Sequence, residues 1–194
     1  MVTKDQIHSQ PVRESGGVVT PKAPQQNVKY TSNKTLGVKQ KTFYRGVKDV
    51  NNLPKAGEKS YVDNAFKNGI PSNARIKENV PGVHDPKAPT VSNVWQHQNK
   101  SAQNSAFVAT TSSKKVAAQK YSGPSGGYFE IKPKNSTVID VNKTVGNSTD
   151  KAKLKDKEYL FPNEVPSKEI KAFHKVDNNG KVVESTPNPF YGSN

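Results

Sequence analysis

Apolar positions in this chain fall in short runs, and most of the runs alternate with polar residues. Thr42-Phe43-Tyr44-Arg45-Gly46-Val47 and Phe107-Val108-Ala109-Thr110-Thr111 read as strands. So do Tyr128-Phe129-Glu130-Ile131 and Thr137-Val138-Ile139-Asp140-Val141. Phe173-His174-Lys175-Val176 and Lys181-Val182-Val183 flank Asp177-Asn178-Asn179-Gly180, where the Asn-Gly pair predicts a hairpin turn. Two stretches carry helical spacing instead. From Ser60 to Gly69, Val62, Ala65 and Phe66 share a face. Ser60 and Asp63 approximate a capping box there, and Gly69 and Pro71 end the helix. From Lys114 to Tyr121, Val116, Ala117 and Tyr121 share a face, with Ser112 or Ser113 as the cap. Strands outnumber helices, and no βαβ alternation appears. The class is therefore α+β, with helices ahead of a strand-rich second half.

Breakers delimit the rest. Residues 1–37 hold Ser9-Gln10-Pro11, Gly16-Gly17 and Pro21-Lys22-Ala23-Pro24 without sustained periodicity, and read as a disordered linker or leader. The compact domain is expected over 38–194. Pro81, Gly82, Pro86 and Pro89 make 72–93 a long loop, and the polar, basic stretch 142–157 reads as a mobile loop. Glu164 reads as a turn residue within Asn163-Glu164-Val165-Pro166.

Composition narrows the function classes. A chain of 194 residues can bury a real core, although only 31% of it is hydrophobic. The absence of Cys excludes disulfides, thiolate metal sites and cysteine nucleophiles. His8, His84 and His174 sit with no carboxylate cluster, so no metal site is expected. No run approaches the roughly eighteen apolar residues of a membrane span, and the start of the chain lacks the apolar stretch of a signal peptide. Export by another route, or release from a larger chain, fits both facts. The net charge of +14 admits nucleic-acid binding, plain solubility, or passage through a negatively lined channel. The lysines are dispersed and do not interleave with aromatics, which favours the last two.

The candidate chemistry lies in three places. Asp156 and Glu158 stand one residue apart before Tyr159-Leu160-Phe161-Pro162, which reads as an apolar turn. On an extended segment they would face opposite ways, so one can sit on a substrate while the other meets an incoming group. Arg45 ends an apolar-aromatic strand, and its guanidinium fork suits phosphate oxygens. Thr110 and Thr111 place hydroxyls at the end of another strand.

An arginine, a hydroxyl strand and an x-Glu motif, in that order, resemble the cholera-toxin-like mono-ADP-ribosyltransferases. Their signature is Arg, then aromatic-x-Ser-Thr-Ser, then Glu-x-Glu. Tyr44-Arg45 resembles the first strand of that family, and Ala65-Phe66-Lys67-Asn68-Gly69-Ile70-Pro71 its helix end and Gly-Leu/Ile-x-Pro turn. Val94-Trp95-Gln96-His97 is similar to the aromatic-x-His stretch, and Ala109-Thr110-Thr111 to the Ser-Thr-Ser strand. Tyr128 to Ile131, Val138 to Val141, and Glu158 with Val165-Pro166 and Ile170 continue the match over residues 40–192. Two positions depart from it. Ala109 lacks the hydroxyl that holds the catalytic glutamate, a duty left to Thr111 or Ser112. Asp156 is one methylene shorter than the first glutamate.

The resemblance implies two packed, mainly antiparallel sheets around an NAD cleft, with flanking helices. It implies NAD as a consumed substrate, Glu158 as the catalytic carboxylate and Asp156 as the group facing out toward the acceptor. Tyr44, Arg45, Gly46, His97, Ala109, Thr110 and Thr111 would bind NAD. It further implies a toxin resembling the C-terminal effector region of an insecticidal toxin complex. Such a monomeric effector leaves a larger shell through a translocation channel and acts in the host cytosol, without inserting into a membrane. The acceptor favoured is a threonine of actin, with a Rho-type GTPase second. An arginine, a DNA base, or a non-catalytic nucleic-acid-binding role stand as alternatives.

Overall fold

Alternation becomes sheet in a computed structural model that describes residues 41–48, 58–73, 90–99, 105–123, 125–146 and 155–193. The expected leader 1–37, most of the 72–93 loop and residues 147–154 lie outside the described residues. The strands are β1 (Phe43–Val47), β2 (Ile70–Pro71), β3 (Phe107–Thr111), β4 (Gly127–Ile131), β5 (Ile139–Asp140), β6 (Glu158–Pro162), β7 (Glu164–Val165), β8 (Ile170–Val176) and β9 (Val182–Pro187). Seven of them form one antiparallel sheet in the order β5-β6-β3-β1-β4-β8-β9, and β2 pairs with β7 apart from it. The two-sheet expectation is met by this division and by a weak joint in the large sheet. β1 pairs with β4 along its whole length, from Phe43 opposite Ile131 to Val47 opposite Gly127. With β3 it shares a single pair, Tyr44 opposite Thr111.

Residue alternation sorts the core onto the two faces. Phe43, Val108, Phe129, Phe161 and Phe173 pack on one side with Val62, Ala65 and Phe66 of the helix Glu58–Asn68. The Phe43 and Phe161 rings meet edge to face at 5.8 Å, a favourable aromatic geometry. The other side carries two separate clusters. Phe107, Ile139 and Leu160 pack under Val91 and Val94 of the helix Val91–Asn99, together with Val141 and Val145. Tyr128 and Val176 pack under Ala117 and Ala118. Among the described residues this face stays open between the clusters, from Tyr44 at the edge of one to Ala109 at the edge of the other.

Several boundaries differ from expectation for identifiable reasons. The first helix begins at Glu58, so Ser60 lies inside it and not at its start. Another helix starts at Val91, within the expected 72–93 loop, where Thr90 Oγ1 accepts the Asn93 N–H at 3.2 Å. The strand expected through Val141 stops at Asp140. Asp140 accepts the Lys143 N–H at 3.2 Å and starts a short helix, Val141–Val145, whose two valines are buried on one face. The expected 142–157 loop therefore opens as a helix. Leu160 and Phe161 belong to β6 and are no turn. The turn is at Asn163 alone, with φ 67°, and Glu164 belongs to β7. The expected hairpin forms between β8 and β9, with Gly180 at φ 76°.

The loop between β4 and β5 is held by one buried acid. Glu169 Oε1 accepts the backbone N–H groups of Lys134, Asn135 and Ser136 at 3.0, 2.8 and 3.0 Å. Removing it leaves three donors without their acceptor. Glu169→Ala should lower unfolding free energy by about 2–4 kcal/mol in chemical denaturation, and Glu169→Gln by less. An alanine variant as stable as the parent would remove the clamp from the account.

Candidate active site

The open face between the two clusters is the pocket. Its lining is Tyr44, Arg45, Gly46, Ala109, Thr110, Thr111, Tyr121, Asp156 and Glu158. Every expected site residue except His97 lines it, and His97 reaches it through Glu158.

β1 and β3 part after their single pair, and Arg45 spans the gap by donating from Nη1 to the Ala109 carbonyl at 2.8 Å. Its Nε is buried and has no acceptor among the described residues. Gly46 is required by a close approach. A Cβ there would lie 2.4 Å from Tyr121 Cβ and 2.6 Å from the Tyr121 carbonyl carbon. The expected helix after β3 forms as Lys114–Val116, capped by Ser113 Oγ on the Val116 N–H at 3.3 Å. It then widens into a π turn, Ala117–Tyr121, closed by Ser122 Oγ donating to the Ala117 carbonyl at 2.9 Å. Such widened turns recur at functional sites. This one brings Lys120 and Tyr121 over the pocket.

The two carboxylates do not face opposite ways. Lys157, between them, has φ 49°, a left-handed conformation that cancels the alternation of an extended segment. Asp156 and Glu158 consequently line the same pocket. Asp156 does not face out. Lys120 Nζ donates to both of its oxygens at 2.7 and 2.6 Å, and Tyr121 donates its phenol to Oδ2. The hydroxyl strand has other work than expected. Thr110 Oγ1 donates to the Tyr159 carbonyl at 2.8 Å, and Thr111 Oγ1 to the Asp156 carbonyl at 2.6 Å. Thr111 thus fixes the backbone of the carboxylate turn and does not hold Glu158. Glu158 meets His97 instead: Nε2 lies 3.3 Å from Oε1, and Nδ1 lies 2.6 Å from Ser105 Oγ.

Sequence reasoning missed Ser105 and Lys120 as site residues and used Tyr121 only as part of a helix face. The Tyr121 position at the end of the helix after the hydroxyl strand was a usable signal. For Lys120 the chain offers none, because only the π turn aims it. Among the described residues no group of three His, Asp or Glu could hold a metal, and no helix is long and apolar enough to cross a membrane.

The Scabin-like family model matches residues 58–191, more than half of the chain. The chain belongs to the Scabin-like family of ADP-ribosyltransferases. Its fold matches that of a guanine-specific ADP-ribosyltransferase with a TM-score of 0.54 and 22% identity, over 77% of each chain. It also matches the Scabin toxin of Streptomyces scabies in complex with NADH, with a TM-score of 0.53 and 22% identity, over 77% of this chain and 74% of that one. No curated protein matches the sequence. The expected fold, enzyme class and NAD substrate stand on this membership. Of the resemblance drawn from the sequence, the ADP-ribosyltransferase family is what this membership shows, in its Scabin-like form.

Electrostatics around the Scabin-like pocket keep Tyr121 a donor. Burial first, then its hydrogen bond to Asp156, then the charges of Asp156 and Glu158, push its phenol well above the ordinary value of 10. Burial and then the Glu130 carboxylate raise Tyr44 as well. The sign follows from linkage. A phenol whose folded pKa is raised gives stability that is complete below about pH 10 and is lost as pH climbs toward the folded value. Tyr121→Phe should therefore lose stability less steeply than the parent above about pH 10. Denaturation midpoints at stepped pH check this, and identical alkaline slopes would contradict it.

Proposed function

We propose that this Scabin-like enzyme is a toxin effector that cleaves NAD at Glu158 and transfers ADP-ribose to a guanine base. The observation that carries the reading is the shared pocket: Arg45, Asp156 and Glu158 converge on one opening in the sheet. Arg45 lines that pocket, and a guanidinium fork suits pyrophosphate oxygens. As nicotinamide leaves, the C1′–N bond breaks with its electron pair going to the ring nitrogen, whose positive charge it cancels. Positive charge develops on the ribose, and the Glu158 carboxylate opposes it.

The acceptor then bonds to C1′ through a nitrogen lone pair and gives up a proton to Asp156 or to solvent. Guanine suits Asp156 because its base edge offers N–H donors, and an ionised carboxylate only accepts. The guanine-specific structural relative supports the same choice. A host-protein side chain is the second reading, with threonine of actin ahead of a Rho-type GTPase. What favours it is that Asp156 stands one methylene short of the glutamate of arginine-modifying enzymes. Delivery through a toxin shell into a host cytosol accords with the high positive charge and the absence of cysteine.

Two experiments test the proposal. Glu158→Gln keeps shape and removes charge, so nicotinamide release should fall by about 100-fold or more with the fold retained. Residual activity above about a tenth would limit the contribution of Glu158 to under roughly 1.4 kcal/mol and remove it from this role. Labelled NAD offered with DNA, guanosine monophosphate and host-cell lysate identifies the acceptor. Label on guanine is expected. Label on a protein side chain would select the second reading, and DNA binding with a steep salt dependence but no label would leave neither transferase standing.

A further inference from the structure

Glu158 would need a fixed orientation for the role proposed, since a carboxylate free to rotate opposes the ribose charge only part of the time. The hydroxyl that could fix it from position 109 is missing, because that residue is Ala109. The neighbouring hydroxyls are spent: Thr110 on the Tyr159 carbonyl and Thr111 on the Asp156 carbonyl. We infer that His97, held by Ser105, is the positioning residue for Glu158. The inference rests on Glu158 being the charge-opposing carboxylate.

With Glu158 ionised, one tautomer of His97 satisfies every contact. Ser105 Oγ accepts the Phe107 N–H at 3.1 Å, which ties that oxygen to the first residue of β3. Its own proton is then available to His97 Nδ1, 2.6 Å away. An ionised Glu158 can only accept, so in neutral His97 the hydrogen sits on Nε2, and Nδ1 is the lone pair facing the serine. The chain Ser105–His97–Glu158 is thus consistent from end to end, with each donor meeting an acceptor. It is also rigidly mounted. His97 lies in the last turn of the helix Val91–Asn99, whose Val91 and Val94 are buried beneath it. Its ring meets Phe107 edge to face at 6.0 Å and 90°. The His97 side chain is 7% exposed and that of Glu158 19%, so the support lies deeper than the group it supports. A histidine beneath the carboxylate, away from the opening, is placed to orient it and not to meet substrate.

The test uses the whole chain and nicotinamide release from NAD, which needs no acceptor to be known. His97→Ala should lower kcat by about 10- to 100-fold, the usual cost of removing an orienting partner, with KM for NAD changed little. His97→Gln restores an amide donor and should recover most of the rate, although it cannot replace the ring packing on Phe107. That contrast separates positioning from packing. An alanine variant with unchanged kcat overturns the inference, as does a rise in KM alone, which would put His97 on the substrate. Equal damage from alanine and glutamine also overturns it, since it would mark a packing role. The reading beneath it fails separately: an active Glu158→Gln variant removes Glu158 from catalysis whatever His97 does.

Discussion

The site exists because β1 can be a full partner to only one of its neighbours. Its ladder with β4 is complete, and its ladder with β3 ends after Tyr44 and Thr111. A β-strand denied its second partner leaves backbone groups to be satisfied otherwise. Here the Arg45 guanidinium bonds the Ala109 carbonyl across the gap. The turn at Tyr121 presses against Gly46 so closely that any side chain at 46 would collide with it. A sheet that continued without interruption from β3 to β4 would have no opening, and the two carboxylates would have nothing to face.

Much of the frame was legible because it depends on periods. β1, β3 and β4 lie where alternation put them, and the hairpin turn lies where Asn179-Gly180 put it. The failures share one cause: a single residue changed the local rule. Lys157 adopts a left-handed conformation that no lysine advertises, and the carboxylates it separates turn to the same side. Asp140 ends a strand that its apolar neighbours would have continued, because its carboxylate caps the following backbone. Asn163 confines to one residue a turn that the pattern had spread over several. Site residues from the signature, His97 among them, were legible because their order along the chain carries the resemblance, although Arg45 sits in the middle of β1 and not at its end. Ser105 and Lys120 were not, since Lys120 meets Asp156 and Ser105 meets His97 only through tertiary contacts that have no period.

The chemistry expected of the hydroxyl strand has been divided between elements. Thr111 grips the backbone under Asp156, so the strand still shapes the carboxylate turn, but it does so through a carbonyl and not through the Glu158 side chain. The side chain of Glu158 is met from a helix that the sequence pattern had given to a loop. Loss of a hydroxyl at Ala109 is therefore a relocation of support, from the strand beside the glutamate to the helix beneath it.

The two carboxylates are braced from opposite sides, Glu158 by the helix that carries His97 and Asp156 by the turn that carries Lys120 and Tyr121. Among the described residues no single side chain hydrogen-bonds both. A change in the 117–121 turn therefore alters the surroundings of Asp156 through Lys120 and Tyr121 and leaves the contacts of His97 with Glu158 and Ser105 in place.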